Sequence, residues 1–260
     1  MDDTALDRAH RAMMLAAQED APRLAWYHRF ADSELCLLLT HEPAGETLSP
    51  ALFQLSEGRF ALVFDLEERL AAFADGPVPY AALPGRVIAA ALAGQGIGIC
   101  VNLDVADSTF IMPPEAVDWL TSALDQRPAE DHTRLAGWIA PENPELARAL
   151  HAKFAGYPVP TAAIWLAGLR HGPDQASTAV VFVDVKDRLQ EPLAKAVNEA
   201  VLFSGQDPEG IAILFLTADQ AQGIEAAGQP LWTPPAAPLP QHKTAPQAPG
   251  SDPARPPRLR

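Results

Sequence analysis

Cysteine is scarce in this sequence: Cys36 and Cys100 are its two, and both stand inside apolar runs. That excludes a disulfide-framework scaffold and points to a reducing compartment. Long hydrophobic runs are missing as well. Stretches such as Val87–Leu92 fall far below the ~20 residues that cross a bilayer. The chain opens Met1-Asp2-Asp3, acidic where a secretory signal is basic, so no signal peptide is expected. Positive charge is in short supply too, with 19 Lys and Arg against 33 Asp and Glu and a net charge of −14. From Gln229 onward Lys243, Arg255, Arg258 and Arg260 face Asp252 alone, a surplus of three positive charges, so the remainder carries −17. A body that acidic repels phosphate and argues against nucleic acid or anionic lipid as the main partner. It also suits a soluble bacterial cytosolic protein.

Metal and phosphate motifs are equally sparse. The seven histidines, among them His10, His28, His41, His132, His151 and His171, show no HExxH or clustered spacing, and no paired CxxC occurs. Gly94, Gly96 and Gly98 follow a helical pattern and enter a strand pattern, the reverse of a phosphate cradle. No metal and no cofactor is expected.

What is present is well-patterned α/β sequence. At 260 residues the chain can bury a sizeable core, and its 48% apolar content is that of a globular protein. Thr4 with Asp7 resembles a capping box opening a helix to about Gln18, with Leu6, Ala9, Met13 and Ala16 on one face. Asp20 starts a second helix that carries Pro22 in its first turn and is anchored by Leu24, Tyr27 and Phe30. Glu34–Thr40 reads as a buried strand. Residues Leu48–Ser56 and Arg59–Phe64, joined at Glu57-Gly58, read as a hairpin. Asp65 then ends the strand before a helix to about Phe73, which Gly76-Pro77-Val78-Pro79 breaks. Pro84 opens another helix to about Ala93, residues 98–101 and 108–112 are strands, and Pro113-Pro114-Glu115 opens a helix ending near Leu124.

The polar run Asp125–Asp131 marks a boundary. Beyond it Leu135–Ile139 looks extended, and Asn143-Pro144-Glu145 caps a helix to about Phe154. Ala162–Leu169 and Ala179–Asp184 form a second hairpin. A long helix covers Leu189–Phe203, Ile211–Leu216 is a buried strand, and Ala218–Ala226 a closing helix. Both halves run hairpin, helix, strand, helix. Either one α/β unit was duplicated, or short α/β chains simply have few arrangements open to them. The expected architecture is therefore α/β (α+β): two small mixed-sheet domains flanked by helices, residues 1–125 and 133–232 with a linker at 126–132. Residues 233–260 are dense in proline and poor in large apolar side chains, which predicts a disordered tail with polyproline II character. Such a tail is either simply solvated or a docking segment.

Several of these segments carry a resemblance. Arg23-Leu24-Ala25-Trp26-Tyr27 before the first strand, Leu62–Leu70, Gly98–Asn102 and Ile111–Val117 resemble the SseB-like family, named for a bacterial enhanced-serine-sensitivity protein. The second half is similar to that family's C-terminal domain through Pro158 and Gln229-Pro230-Leu231-Trp232, so the resemblance spans roughly residues 5 to 232. The family usually has a small hydroxyl residue where Asp65 stands, and often a proline where Leu103 stands. The resemblance implies a cytosolic α/β protein with no established enzyme activity and a suggestive link to serine and sulfur metabolism.

The candidate site residues are Asp65, Asn102 and Asp104, which follow two buried strands. If those strands are parallel neighbours, their ends converge on one rim, where open α/β sheets bind ligands. Each residue also has an architectural reading. Asp65, with Glu68 three residues later, fits a helix N-cap, and Asn102 fits a turn. Cys36 and Cys100 sit mid-strand, where a thiolate is disfavoured, which speaks against sulfur transfer. Trp119 and Trp165 read as core, and Trp232 as the ring closing the folded region. With no nucleophile–base pair in view, the expected function is a non-catalytic, cytoplasmic, protein-binding or regulatory module whose partner is an unidentified protein. The alternative is a sensor or enzyme for a small metabolite linked to serine or sulfur amino acids.

Overall fold

The computed structural model describes residues 3–43, 48–56, 58–128, 137–155, 163–170 and 176–232. The expected proline-rich tail, His132, Pro158 and His171 lie outside these residues.

Two helices lead the chain, α1 (Ala5–Leu15) and α2 (Asp20–Asp32). The capping box of α1 forms as the spacing predicts: Asp7 N–H donates to Thr4 Oγ1 at 3.0 Å, and Thr4 N–H donates to the Asp7 carboxylate at 2.9 Å. The first sheet follows, with β1 (Glu34–Leu38), β2 (Leu52–Leu55), β3 (Gly58–Phe64), β4 (Tyr80–Pro84), β5 (Ile97–Val101) and β6 (Phe110–Met112). Three helices alternate with these strands: α3 (Glu67–Ala74), α4 (Gly85–Leu92) and α5 (Pro114–Asp125). The strand order is β4-β1-β3-β5-β6, with β2 also paired to β3, and β3 with β5 is the parallel pair. Side chains alternate across this sheet as the pleat requires. Leu37, Val63, Ile99 and Val101 meet α1, α2, α4 and α5 on one face, while Leu38, Leu62, Phe64 and Cys100 meet α3 on the other.

The second sheet is built from β7 (Trp138–Ile139), β8 (Ala163–Arg170), β9 (Ala176–Val183), β10 (Ile211–Leu216) and β11 (Gln229–Trp232). Its helices are α6 (Pro144–Ala155), α7 (Asp187–Phe203) and the short α8 (Ile224–Ala227). The order is β10-β9-β8-β11, with β7 also on β8 and with β9 and β10 parallel. The helices α6 and α7 cover one face through Leu146, Leu150, Val197 and Val201. Asn143 caps α6 as expected, its Oδ1 accepting from Leu146 N–H at 3.0 Å. The fold is α+β, and both expected hairpins are present as antiparallel pairs, β2 with β3 and β8 with β9. Each half also repeats one unit: an antiparallel pair, a helical crossover, and a strand parallel to the second member of the pair.

Some segments differ from the reading of the sequence. Tyr80–Pro84 is a strand paired along its length with β1, so Pro84 ends an edge strand and α4 starts one residue later. An edge position tolerates a proline because its outward N–H has no ladder partner. Gly85 is required there, since a Cβ would collide with the Phe30 carbonyl. Gln229–Trp232 is also a strand, with Trp232 beside Ile164. The closing helix contracts to Ile224–Ala227 behind a run of turns. Trp119 is 41% exposed, its ring edge laid on Tyr27 and Phe203 and not enclosed in the core.

The last two residues of α7 leave their own half. Phe203 and Leu202 belong to the first half's core, where Phe203 stacks on His28 with ring centroids 5.1 Å apart. The two halves thus share a packed seam along α2 and α7.

Candidate functional site

The parallel pairing of β3 with β5 sets Val63 beside Val101, so Asp65 and Asn102 emerge on the same rim, as the sequence reading required. Asn102 adopts a left-handed backbone (φ 52°), a conformation that a short polar side chain tolerates. Its N–H donates to the Val63 carbonyl at 2.9 Å and its Oδ1 accepts from Asp65 N–H at 3.2 Å. Its Nδ2 donates to Ser108 Oγ at 3.2 Å, and Ser108 Oγ donates to Asp7 Oδ1 at 2.5 Å. Asn102 therefore works as the turn residue the sequence allowed, and it is fully buried.

Asp65 does not cap α3. The helix starts at Glu67 behind Leu66, which offers no side-chain cap, and Asp65 turns inward. Its carboxylate takes Arg69 Nη1 at 2.8 Å and Thr4 Oγ1 at 2.6 Å. Arg69 also grips Asp7, with Nη2 to Oδ2 at 2.6 Å and Nη1 to Oδ1 at 2.8 Å. The side chains of Arg69 and Asp65 are each 4% exposed. The physical reason is charge: a guanidinium buried at i+4 outcompetes exposed backbone N–H groups for the carboxylate. Burial on its own would raise the Asp7 carboxyl, but the bonds from Arg69, Ser108 and the Thr4 backbone outweigh it and hold Asp7 well below the usual carboxylate range. Asp104 also has a left-handed backbone (φ 58°), but it is exposed and takes no part in this network.

The rim of the first sheet is thus a sealed polar clasp that fastens α1 to the strand ends. The i,i+4 spacing of Asp65 and Arg69 was the one local hint of this clasp, while Asp7, the partner of Arg69 and Ser108, lies 62 and 101 positions away from them.

A second polar constellation lies on the seam between the halves. His28 and Asp32 of α2, Arg86 of α4, Lys153 of α6 and Glu199 of α7 meet there. Lys153 Nζ donates to Asp32 Oδ2 and Glu199 Oε2, both at 2.9 Å, and lies 3.1 Å from His28 Nε2. Arg86 Nη1 holds Glu199 Oε1 at 3.0 Å, and Arg86 also pairs with Asp32. Ligand atoms of His28, Asp32 and Glu199 lie within 4.8 Å of one another, so the trio has the makings of a metal site, but the Lys153 ammonium already stands among them. Burial and the adjacent Lys153 charge push His28 down from 6.5 to about 4, which leaves its ring neutral near neutrality. Burial would raise both carboxyls, yet Arg86 and Lys153 lower Glu199, and Lys153 chiefly lowers Asp32. The one local hint in the sequence was the helical i,i+4 spacing of His28 and Asp32.

Cys36 is half-buried and Cys100 buried, and neither is a ready thiolate. Desolvation pushes both up to about 11, helped by Glu67 and Glu34 near Cys36 and by Asp104 near Cys100.

An open cleft of about 340 Å³ occupies the other parallel rim, at the ends of β9 and β10. Asp184, Asp187, Gln190, Phe215, Thr217 and Gln220 line it, with Lys186. No helix among the described residues is long and apolar enough to cross a membrane. Compared with family models, with curated proteins and with solved structures, the chain matches none.

Proposed function

We propose that this chain is a cytoplasmic, SseB-like, non-catalytic module that works by binding another protein, and that neither nucleic acid nor membrane is its partner. The carrying observation is how its clustered polar groups are used. Asp65, Asn102, Asp7, Arg69 and Ser108 close onto one another under α1, and Asp32, Arg86, Lys153 and Glu199 do the same on the seam. Groups so engaged serve the architecture, and a reactant would have to break their ion pairs to reach them, of which Arg69–Asp7, Arg69–Asp65 and Lys153–Glu199 are buried. The net charge of −17 ahead of Gln229 supports the exclusion of polyanions. Native co-purification with the tagged full-length chain tests the reading: a stoichiometric protein partner is expected, and its absence counts against the proposal.

The cleft at Asp184 and Thr217 favours a second reading, a small-metabolite sensor tied to serine or sulfur amino acids. It sits outside the carboxyl ends of parallel strands and combines an aromatic wall with polar groups. Thermal-shift screening with amino acids and thiol metabolites would support it if a shift disappeared in Gln190→Ala.

A further inference from the structure

Among the described residues, the outer edge of β10 carries no partner strand. In the first half, the strand that returns parallel to the hairpin is β5, and every one of its residues is buried because β6 covers its outer edge antiparallel. In the second half, β10 holds the matching position, pairs among the described residues with β9 alone, and has all six residues half-exposed. Its sequence, Ile211-Ala212-Ile213-Leu214-Phe215-Leu216, contains no charge, no proline and no bulge, the devices that normally blunt an edge. The ladder fixes which groups face outward. Leu216 turns its carbonyl to β9, where Asp184 N–H meets it at 2.9 Å. Alternation then aims the N–H and C=O of Ile211, Ile213 and Phe215 away from the sheet.

We infer that β10 takes an added antiparallel strand from a partner protein, an extended segment with an apolar centre and lysine or arginine at its ends. This rests on the protein-binding reading above and names the surface and the chemistry of the partner. Antiparallel addition is the solution the chain itself uses at β5, and backbone pairing with alternate side chains in the two hydrophobic layers is how strand addition binds. Charge selects the segment. Exposed Asp207 precedes β10, and exposed Asp184, Asp187 and Asp219 crowd its far end against Lys186. A strand with cationic flanks is attracted to both ends. A second copy of this chain is not: two antiparallel β10 edges would bring Asp207 of one beside Asp219 of the other, between bodies of like charge.

The test is fluorescence anisotropy on the full-length chain with a short peptide of alternating valine and threonine between paired lysines. Saturable binding is expected. It should weaken about tenfold or more when glutamates replace the lysines, and equally when alternate peptide nitrogens are methylated, which removes the ladder donors. Ile213→Pro deletes an outward N–H without touching the β9 ladder and should abolish binding. Ala212→Lys, an edge lysine, serves if the proline lowers the melting temperature. No binding of the lysine peptide, or undiminished binding of its methylated twin, overturns the inference. So does a dimer in sedimentation equilibrium that Ile213→Pro dissolves, which would assign the edge to a second copy. A co-purified partner retained by Ile213→Pro would overturn the edge while leaving the protein-binding reading intact. Edge binding of the peptide with no co-purified partner would do the reverse.

Discussion

Asn102 and Asp184 make the same clip at the ends of the two parallel strand pairs. Each has a left-handed backbone, with φ of 52° and 55°. Each gives its N–H to a carbonyl near the end of the neighbouring strand, Val63 or Leu216, at 2.9 Å. Each side-chain oxygen then accepts the N–H two residues further along, Asp65 at 3.2 Å or Ala218 at 3.1 Å. A short polar side chain tolerates this backbone and stands in for the next ladder bond. The two clips differ in burial, and that decides their worth. Asn102→Ala strands buried partners and should cost roughly 1–3 kcal/mol, whereas exposed Asp184→Ala should cost about 1 kcal/mol or less. Urea denaturation of both variants checks this, and equal losses would remove burial as the cause.

Arg69 carries the heaviest load in the clasp, since it answers two buried carboxylates at once. Arg69→Met leaves Asp7 and Asp65 without a cation and should destabilise the chain by about 3–5 kcal/mol. Arg69→Lys should recover little, because a point charge cannot reproduce the two-pronged grip on Asp7. Chemical denaturation of the pair of variants distinguishes charge from geometry.

Acid should loosen the seam before the clasp. The unfolded His28 ring takes a proton near 6.5 and the folded one near 4, because burial and Lys153 disfavour the cation. Its contribution is therefore complete above pH 6.5 and declines as pH falls to 4, by about 3 kcal/mol at 1.36 kcal/mol per unit. Asp7 responds to pH with the same sign in a lower window: its depressed carboxyl stabilises the fold above its ordinary 3.8, and that part is lost only as pH drops below 3.8 towards the folded value. Stability against pH should slope between 6.5 and 4 in the parent chain. In His28→Phe, which keeps a ring on Phe203, most of that slope should disappear, leaving the smaller part from His10, whose ring burial also lowers. An undiminished slope would refute the role given to His28.

Phe203 should couple the halves. It is 2% exposed in a core whose other members, apart from Leu202, come from the first half, so Phe203→Ala should cost about 3–5 kcal/mol. Calorimetry should show one transition in the parent chain and two in the variant. A single transition at unchanged temperature would mean that the seam contributes nothing.

The thiols should be inert in the native protein. With Cys36 and Cys100 both raised to about 11, a thiol reagent at mildly alkaline pH should label neither quickly, and both at once in urea. Rapid native labelling of either would reopen sulfur chemistry at these positions.

The contrast between β3 and β4 shows what was legible in the chain itself. Arg59–Phe64 is an apolar run with Phe60, Val63 and Phe64 after Glu57-Gly58, so local preference and turn chemistry named the strand unaided. Tyr80–Pro84, flanked by prolines, has no such pattern and becomes a strand because β1 offers it an edge. The candidate site divided in the same way. Asp65 and Asn102 were visible as polar exits from buried strands, and the parallel pairing brought them together. Local spacing, however, read Asp65 as a helix cap, because Arg69 acquires its competing claim only once α1 delivers Asp7.

The sequence by itself determined most of the elements, the acidic body and the positions where polar residues interrupt apolar strands, since these depend on neighbours a few residues apart. Only the tertiary structure decided what those polar residues do and which strand edge lacks a partner among the described residues. Ion pairs between residues 62 or 113 positions apart, and a β10 edge with no partner among the described residues, arise from packing across the fold, where long-range electrostatics and sheet order outweigh local preference.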